Sequence, residues 1–198
     1  MRVLHLREAG VSPVSLATLK SFLKIDTNDE DTILQMCLDS ATDTIQQYLK
    51  RILVEAEYDF WLDIFPPINE NNEYRIFNAS EIFLPFPPII LVKSIKTYNE
   101  ANAETTFATA AYQVDQSNGR IFLNDGYTWP TDLRNKNAVK INYTCGMNSE
   151  CPASLKQAVI IYASQIYNAR CECAMPDSVK KMISGYKLYD SLGYGDGL

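Results

Sequence analysis

DTNDEDTILQMCLDSATDTIQQYLKRI, Asp26–Ile52, carries the clearest structural signal in the chain. Ile33, Leu34, Cys37, Leu38, Ala41, Ile45, Tyr48, Leu49 and Ile52 recur every three or four residues, which places them on one side of an α-helix. Gln35, Asp39, Asp43 and Gln46 fall on the other side. The acidic run Asp26–Asp31 marks the start, because negative charge is stabilised at a helix N-terminus. The pattern predicts an amphipathic helix of about five turns. Upstream, Ser15 reads as the N-cap of a short helix that shows Leu16, Leu19, Phe22 and Leu23 on one face and stops near Lys24. A second long stripe lies far downstream. Pro152 sits at a first helical turn, and Leu155, Ala158, Val159, Tyr162, Ile166 and Ala169 follow at helical spacing. Ser178 then reads as the cap of a last short helix through Leu188.

Between the two stripes the period changes. Tyr58, Phe60, Leu62 and Ile64 alternate with Asp59, Trp61, Asp63 and Phe65, which reads as a strand. Further strands are expected at Ile82–Leu84, Ile89–Tyr98, Thr105–Phe107, Tyr112–Val114, Arg120–Leu123 and Ala138–Thr144, with Asn118-Gly119 as a hairpin turn. Neither helical part is long enough to bury its stripe alone. The expected fold is therefore α+β: a small antiparallel helical bundle (residues 1–54 and 152–190) with an inserted antiparallel β domain (55–151) and a flexible tail (191–198). Leu34 and Ile45 are expected to meet Val159 and Ile166 in the shared core, and Met1–Ala9 reads as an extended arm.

Composition excludes several classes. Hydrophobic residues at 46% fit a folded protein rather than a disordered one. A net charge of −6 does not suit a protein that grips a phosphate backbone, although an acidic surface would let a duplex slide past. No apolar run has the length of a membrane span. Met1–Gly10 lacks a signal-peptide core, so the protein is expected to stay in the cytoplasm of the cell that makes it, where disulfides among the five cysteines are not expected. Twelve tyrosines fit two readings equally, a Tyr-rich β core or surfaces that become buried on assembly.

Catalytic chemistry finds little support. His5 is the sole histidine and lies on the arm, so a Ser–His or Cys–His pair lacks a base. Asp59 and Asp63 flank Trp61 as a glycosidase pair would, but the same alternation marks any half-exposed strand. Cys145, Cys151, Cys171 and Cys173 lack ligand spacing, so no metal and no cofactor is expected. Gly193, Gly195 and Gly197 form no phosphate loop, because no helix follows them.

Several strings, in order, resemble the phage head–tail connector (adaptor) family. They are Val14–Asp26, Asp29-Glu30-Asp31 with Ile33 and Leu34, Ile45–Arg51, and Leu84-Pro85-Phe86-Pro87-Pro88-Ile89 followed by Val92-Lys93-Ser94-Ile95. Tyr112–Asp115, Trp129-Pro130 and Tyr143-Thr144-Cys145-Gly146 before Pro152–Ala158 continue the series, which fades after Ala169. The resemblance implies a non-enzymatic virion protein of the phage neck. Its expected partners are the portal, a tail or stopper/terminator protein, and further copies of itself in a ring, typically dodecameric. Genomic DNA would pass through without sequence-specific binding, and no membrane is involved. The C-terminal segment is the part expected to reach the portal, with Val179, Met182, Ile183, Tyr186, Tyr189, Tyr194 and Leu198 as anchors. The competing reading is a carbohydrate- or receptor-binding β module of a virion decoration protein, which would use Tyr and Trp to stack on sugars. A hydrolase built on Asp59 is a third.

Overall fold

The computed structural model describes residues 2–8, 12–65, 81–147, 151–170 and 174–188. The chain forms two compact units, one of Val11–Val54 with Met147–Leu198, the other of Met1–Gly10 with Glu55–Gly146.

The first unit is helical: α1 (Leu16–Leu23), α2 (Asp31–Leu49), α3 (Ala153–Ala169) and α4 (Asp177–Ile183), the last running on into a 3-10 turn at Ser184–Tyr186. Ser15 caps α1 as expected, its Oγ accepting from the Thr18 N–H at 3.2 Å. Three helices end on a cation in the left-handed region: Lys24 (φ 58°), Lys50 (φ 54°) and Arg170 (φ 49°). That conformation favours glycine, but a positive side chain there offsets the cost by meeting the negative end of the helix dipole. The last helix departs from expectation at its start. Pro176, not Ser178, occupies the N-cap position.

The core of this unit joins the two stripes. Leu34, Leu38, Ala41, Ile45 and Leu49 of α2 pack with Leu155, Ala158, Val159, Tyr162 and Ala163 of α3, and Leu19, Val179 and Ile183 complete the cluster. Leu34, Ile45 and Val159 are fully buried, as the spacing predicts. Ile166 is not. It is half-buried at the rim, because α3 has already turned that position away from the contact.

The second unit holds the strands: β1 (Arg2–Glu8), β2 (Ala56–Leu62), β3 (Ile82–Phe83), β4 (Ile89–Tyr98), β5 (Glu104–Thr106), β6 (Tyr112–Asp115), β7 (Arg120–Leu123) and β8 (Val139–Cys145). They make a five-stranded sheet, order β1-β2-β8-β4-β5, and a three-stranded sheet, order β3-β7-β6, both antiparallel. The N-terminal segment, expected as an arm of the helical part, is instead an edge strand of the larger sheet, paired along β2 from Arg2↔Leu62 to Leu6↔Tyr58. Strand β2 ends at Leu62, so Asp63 and Ile64 lie beyond the sheet and Ile64 is exposed. Between β6 and β7, Gly119 takes φ +66°, and a Cβ there would stand 2.9 Å from the Leu84 carbonyl oxygen, which is why glycine occupies the turn.

The central strands bury one face. Tyr58, Phe60, Ile95, Ile141 and Tyr143 point into this unit's core, and the Tyr143 hydroxyl donates to the Pro85 carbonyl at 3.1 Å. A second aromatic cluster stacks Phe65 on Trp129 at 4.5 Å, beside Phe107 and Tyr112. Replacing Leu38 or Ile45 by Ala should lower the unfolding free energy by about 2–5 kcal/mol, against within about 0.5 kcal/mol for Ile33→Ala on the exposed side of α2. Urea unfolding followed by helical circular dichroism checks this.

Candidate interaction surfaces

The other face of the five-stranded sheet carries the charge. Opposed residues in adjacent strands share a face, so the register Asp59↔Asn142 and Trp61↔Lys140 sets these four side chains side by side. Asn142 donates from Nδ2 to Asp59 Oδ1 and to Glu57 Oε1, both at 2.8 Å. Lys140 Nζ lies 3.0 Å from Asp59 Oδ2. Arg7 reaches both acids, at 3.2 Å to Glu57 and 3.5 Å to Asp59, and Lys93 donates to Glu57. Two acids are thus held by three cations and an amide. The hydrogen bond from Lys93, then that from Asn142, holds the Glu57 carboxyl below the ordinary glutamate range.

Towards β5 the face continues as an aromatic ladder. Trp61 stacks on Tyr98 at 5.8 Å, Lys140 lies over the Trp61 ring and Arg134 over the Tyr98 ring. The Tyr98 hydroxyl donates to Glu104, and burial, with that acid beside it, pushes the phenol up to about 12. Asp59 and Asp63, the candidate carboxylate pair, are not brought together as an acid and a base. Asp59 is buried in the ion network, while Asp63 accepts from the Asn137 N–H beyond the end of β2.

Within the helical unit, an open groove of about 1050 Å³ runs between α2 and α3. Ile33, Cys37, Ser40, Thr44 and Gln47 line it from α2, and Tyr162, Ile166, Tyr167 and Arg170 from α3. At its end the Tyr167 hydroxyl donates to Glu30, the residue before α2, so the start of α2 meets the end of α3 and the helices run antiparallel.

The seven residues expected as portal anchors divide. Val179 and Ile183 are fully buried in the helical core, so they hold α4 down and cannot serve as anchors in this conformation. Met182 is exposed. Tyr186 is half-buried. Its hydroxyl accepts from Ser154 at 3.1 Å and its carbonyl from Arg51 at 2.9 Å. Tyr189, Tyr194 and Leu198 lie outside the described residues. Among the described residues no cluster of three or more His, Cys, Asp or Glu is gathered to hold a metal. Cys37, Cys145 and Cys151 are free thiols, all buried, and burial pushes Cys145 up to about 12.

An antiparallel helical layer carrying an inserted antiparallel sheet defines a class of fold, and solved structures share it. The chain is similar to a protein in the neck of an empty gene transfer agent particle computed with C6 symmetry, with a TM-score of 0.74 and 22% identity over 93% of this chain and 96% of that one. It is similar also to a chain of the virion of the native gene transfer agent particle (TM-score 0.71, 22% identity, 93% and 95% covered) and to one of the native particle's neck computed with C12 symmetry (0.68, 23%, 93% and 96%). No curated protein matches the chain in sequence. A family model described as head completion protein matches residues 14–164, which take in α1, α2, strands β2 to β8 and most of α3. The chain belongs to the head completion protein family, a phage head–tail connector class.

Two measurements test these surfaces. Glu57 titrates lower when folded than when unfolded, so its contribution to stability is present at neutral pH and is lost as pH falls from the ordinary glutamate value through the depressed one. Glu57→Gln should flatten the acid limb of a plot of melting temperature against pH. A thiol reagent mapped by mass spectrometry should leave Cys37, Cys145 and Cys151 unmodified until denaturant is added, since protonated, buried thiols are poor nucleophiles.

Proposed function

We propose that this chain is a structural subunit of the connector ring in a virion neck, placed below the portal, where it extends the DNA channel and offers a platform to a tail or stopper protein. The family match carries this reading, because it spans both helical stripes and the β insertion rather than a single motif. Likeness to neck proteins of particles computed with C6 and C12 symmetry supports a ring, twelvefold by preference. The groups a hydrolase would need are committed to structure: Asp59 to Lys140, Arg7 and Asn142, and the described thiols to the interior. The sugar-binding alternative is weakened in the same way. Trp129 is buried against Phe65, and the half-buried Trp61 stacks on Tyr98 with Lys140 over its ring, so both rings are engaged within the fold. A net charge of −6 suits passage of the genome without capture.

The C-terminal segment remains the proposed portal contact, with its anchors narrowed to Met182, Tyr186 and the residues after Leu188. Truncation at Ser178 would remove Val179 and Ile183 from the core and unfold the helical unit, so a cut after Leu188 is the informative one. Loss of the gene should yield DNA-filled heads without tails, and the full chain should restore tailed particles. The chain ending at Leu188 should keep its melting temperature yet fail to bind isolated portal. Full binding by that truncated chain would move the docking surface to the helical unit.

A further inference from the structure

The groove between α2 and α3 has a neutral, apolar middle and one charged end. Ile33, Cys37, Tyr162 and Ile166 line the middle, and Ile33 leaves 52% of its surface to solvent. At the charged end Arg170 stands 3.8 Å from Glu30, with 80% of its side chain exposed. Gln47 marks the opposite end, and α2 rises about 21 Å between Gln47 and Ile33. An open apolar channel of that length is a place for another segment to lie.

The described chain stops beside the Gln47 end. Lys187 Nζ lies 4.9 Å from the centre of the Tyr48 ring, and the Leu188 N–H donates to the Leu49 carbonyl at 3.0 Å. The sequence that follows has a strict alternation. Leu192, Tyr194, Asp196 and Leu198 are separated by Gly193, Gly195 and Gly197. On an extended backbone successive residues face opposite ways, so all four side chains fall on one side and the other side is bare. A helix would scatter the same residues around its axis, and three glycines disfavour it. A strand with side chains on one side only suits a groove between two helices. The order along the strand also fits. From Leu188 to Asp196 an extended chain covers about 26 Å, so Leu192 and Tyr194 pass the apolar middle and Asp196 arrives level with Arg170. No lysine or arginine follows Lys187, so the acid meets the cation without a like charge beside it.

We infer that, before the portal is met, residues 189–198 lie extended in the α2–α3 groove of their own subunit, with Leu192 and Tyr194 on its apolar lining and Asp196 on Arg170. The inference rests on the reading that these residues are the portal contact, and it adds where they are held in reserve. Their own subunit is favoured over a second copy because a short tether presents them at an effective concentration of about millimolar. Portal must then displace the groove to gain the segment, which keeps the contact from being spent elsewhere.

Thiol labelling of a reporter in the groove tests this. Ile33→Cys should react about tenfold more slowly in the full chain than in the chain ending at Leu188, with the modified peptide identified by mass spectrometry. Met36→Cys is the control. That position is 66% exposed and does not line the groove, so its rate should be the same in both chains. Tyr194→Asp in the full chain should bring position 33 to the truncated rate. Equal rates at position 33 in the two chains, or protection that survives Tyr194→Asp, would overturn the inference. Protection that disappears on dilution would overturn it too, by assigning the groove to another copy's tail. Isolated portal should raise labelling at position 33 to the truncated rate, and portal that captures the chain while position 33 stays protected would sink the reserve. Portal that captures nothing would instead refute the portal reading and leave the labelling result standing. A hold this weak is lost on warming before the unit unfolds, so the truncated chain keeps its melting temperature.

Discussion

The apolar side of α2 is the constraint on which the rest of the molecule depends. Leu34, Leu38, Ala41, Ile45 and Leu49 are all buried, and the eight residues of α1 cover only part of them. The remaining cover comes from α3, which the chain reaches only after the whole β unit has been built. An insertion of that length is tolerated when its two ends lie together, since closing a long loop costs little more than closing a short one. The register shows how this is met. Ala56, where β2 begins, pairs with Cys145, where β8 ends. In the helical unit the Met147 N–H donates to the Ile52 carbonyl at 3.1 Å, so the outgoing and returning segments are hydrogen-bonded neighbours there too.

The sheet solves a different problem. Its central strands need one apolar face, and the opposite face is occupied by long side chains of both signs. Asp59, Asn142 and Thr144 are buried there beneath longer neighbours. Among the described residues no buried side-chain nitrogen or oxygen is left without a partner. Exposed ion pairs add little stability singly, but a carboxylate cut off from water is tolerable only when it is fully bonded. Completing those bonds leaves Arg7 and Lys93 as the more exposed partners of Glu57.

The C-terminal region shows how one amphipathic segment divides its residues between stability and contact. Val179 and Ile183, four apart, face the core, while Met182 faces solvent. Such a helix is too short to persist by itself, so its apolar side is first of all a fastening. Leu188 continues that fastening with its N–H on the Leu49 carbonyl at 3.0 Å.

Period and turn chemistry alone disclosed the two helical stripes, the Ser15 cap, the stop at Lys24, the Asn118-Gly119 hairpin and strands such as Ile89–Tyr98, because each depends on neighbours within a few residues. The α+β order was legible on the same grounds, and the resemblance to connector proteins rested on ordered motif strings such as Val14–Asp26 and Leu84–Ile89. Tertiary structure alone decided the rest. That Arg2–Glu8 is an edge strand depends on pairing partners 49 to 60 residues away, which no local pattern encodes. The burial of Asp59 depends on Arg7 and Lys140 arriving from two other strands, so alternation could only describe it as half-exposed. Ile166 follows the stripe yet sits at the rim, since spacing gives a helix face but not where the facing helix ends its cover. The same limit hid the roles of Val179 and Ile183: periodicity shows that a side chain has an apolar neighbour to find, and only the folded chain shows that the neighbour is its own core.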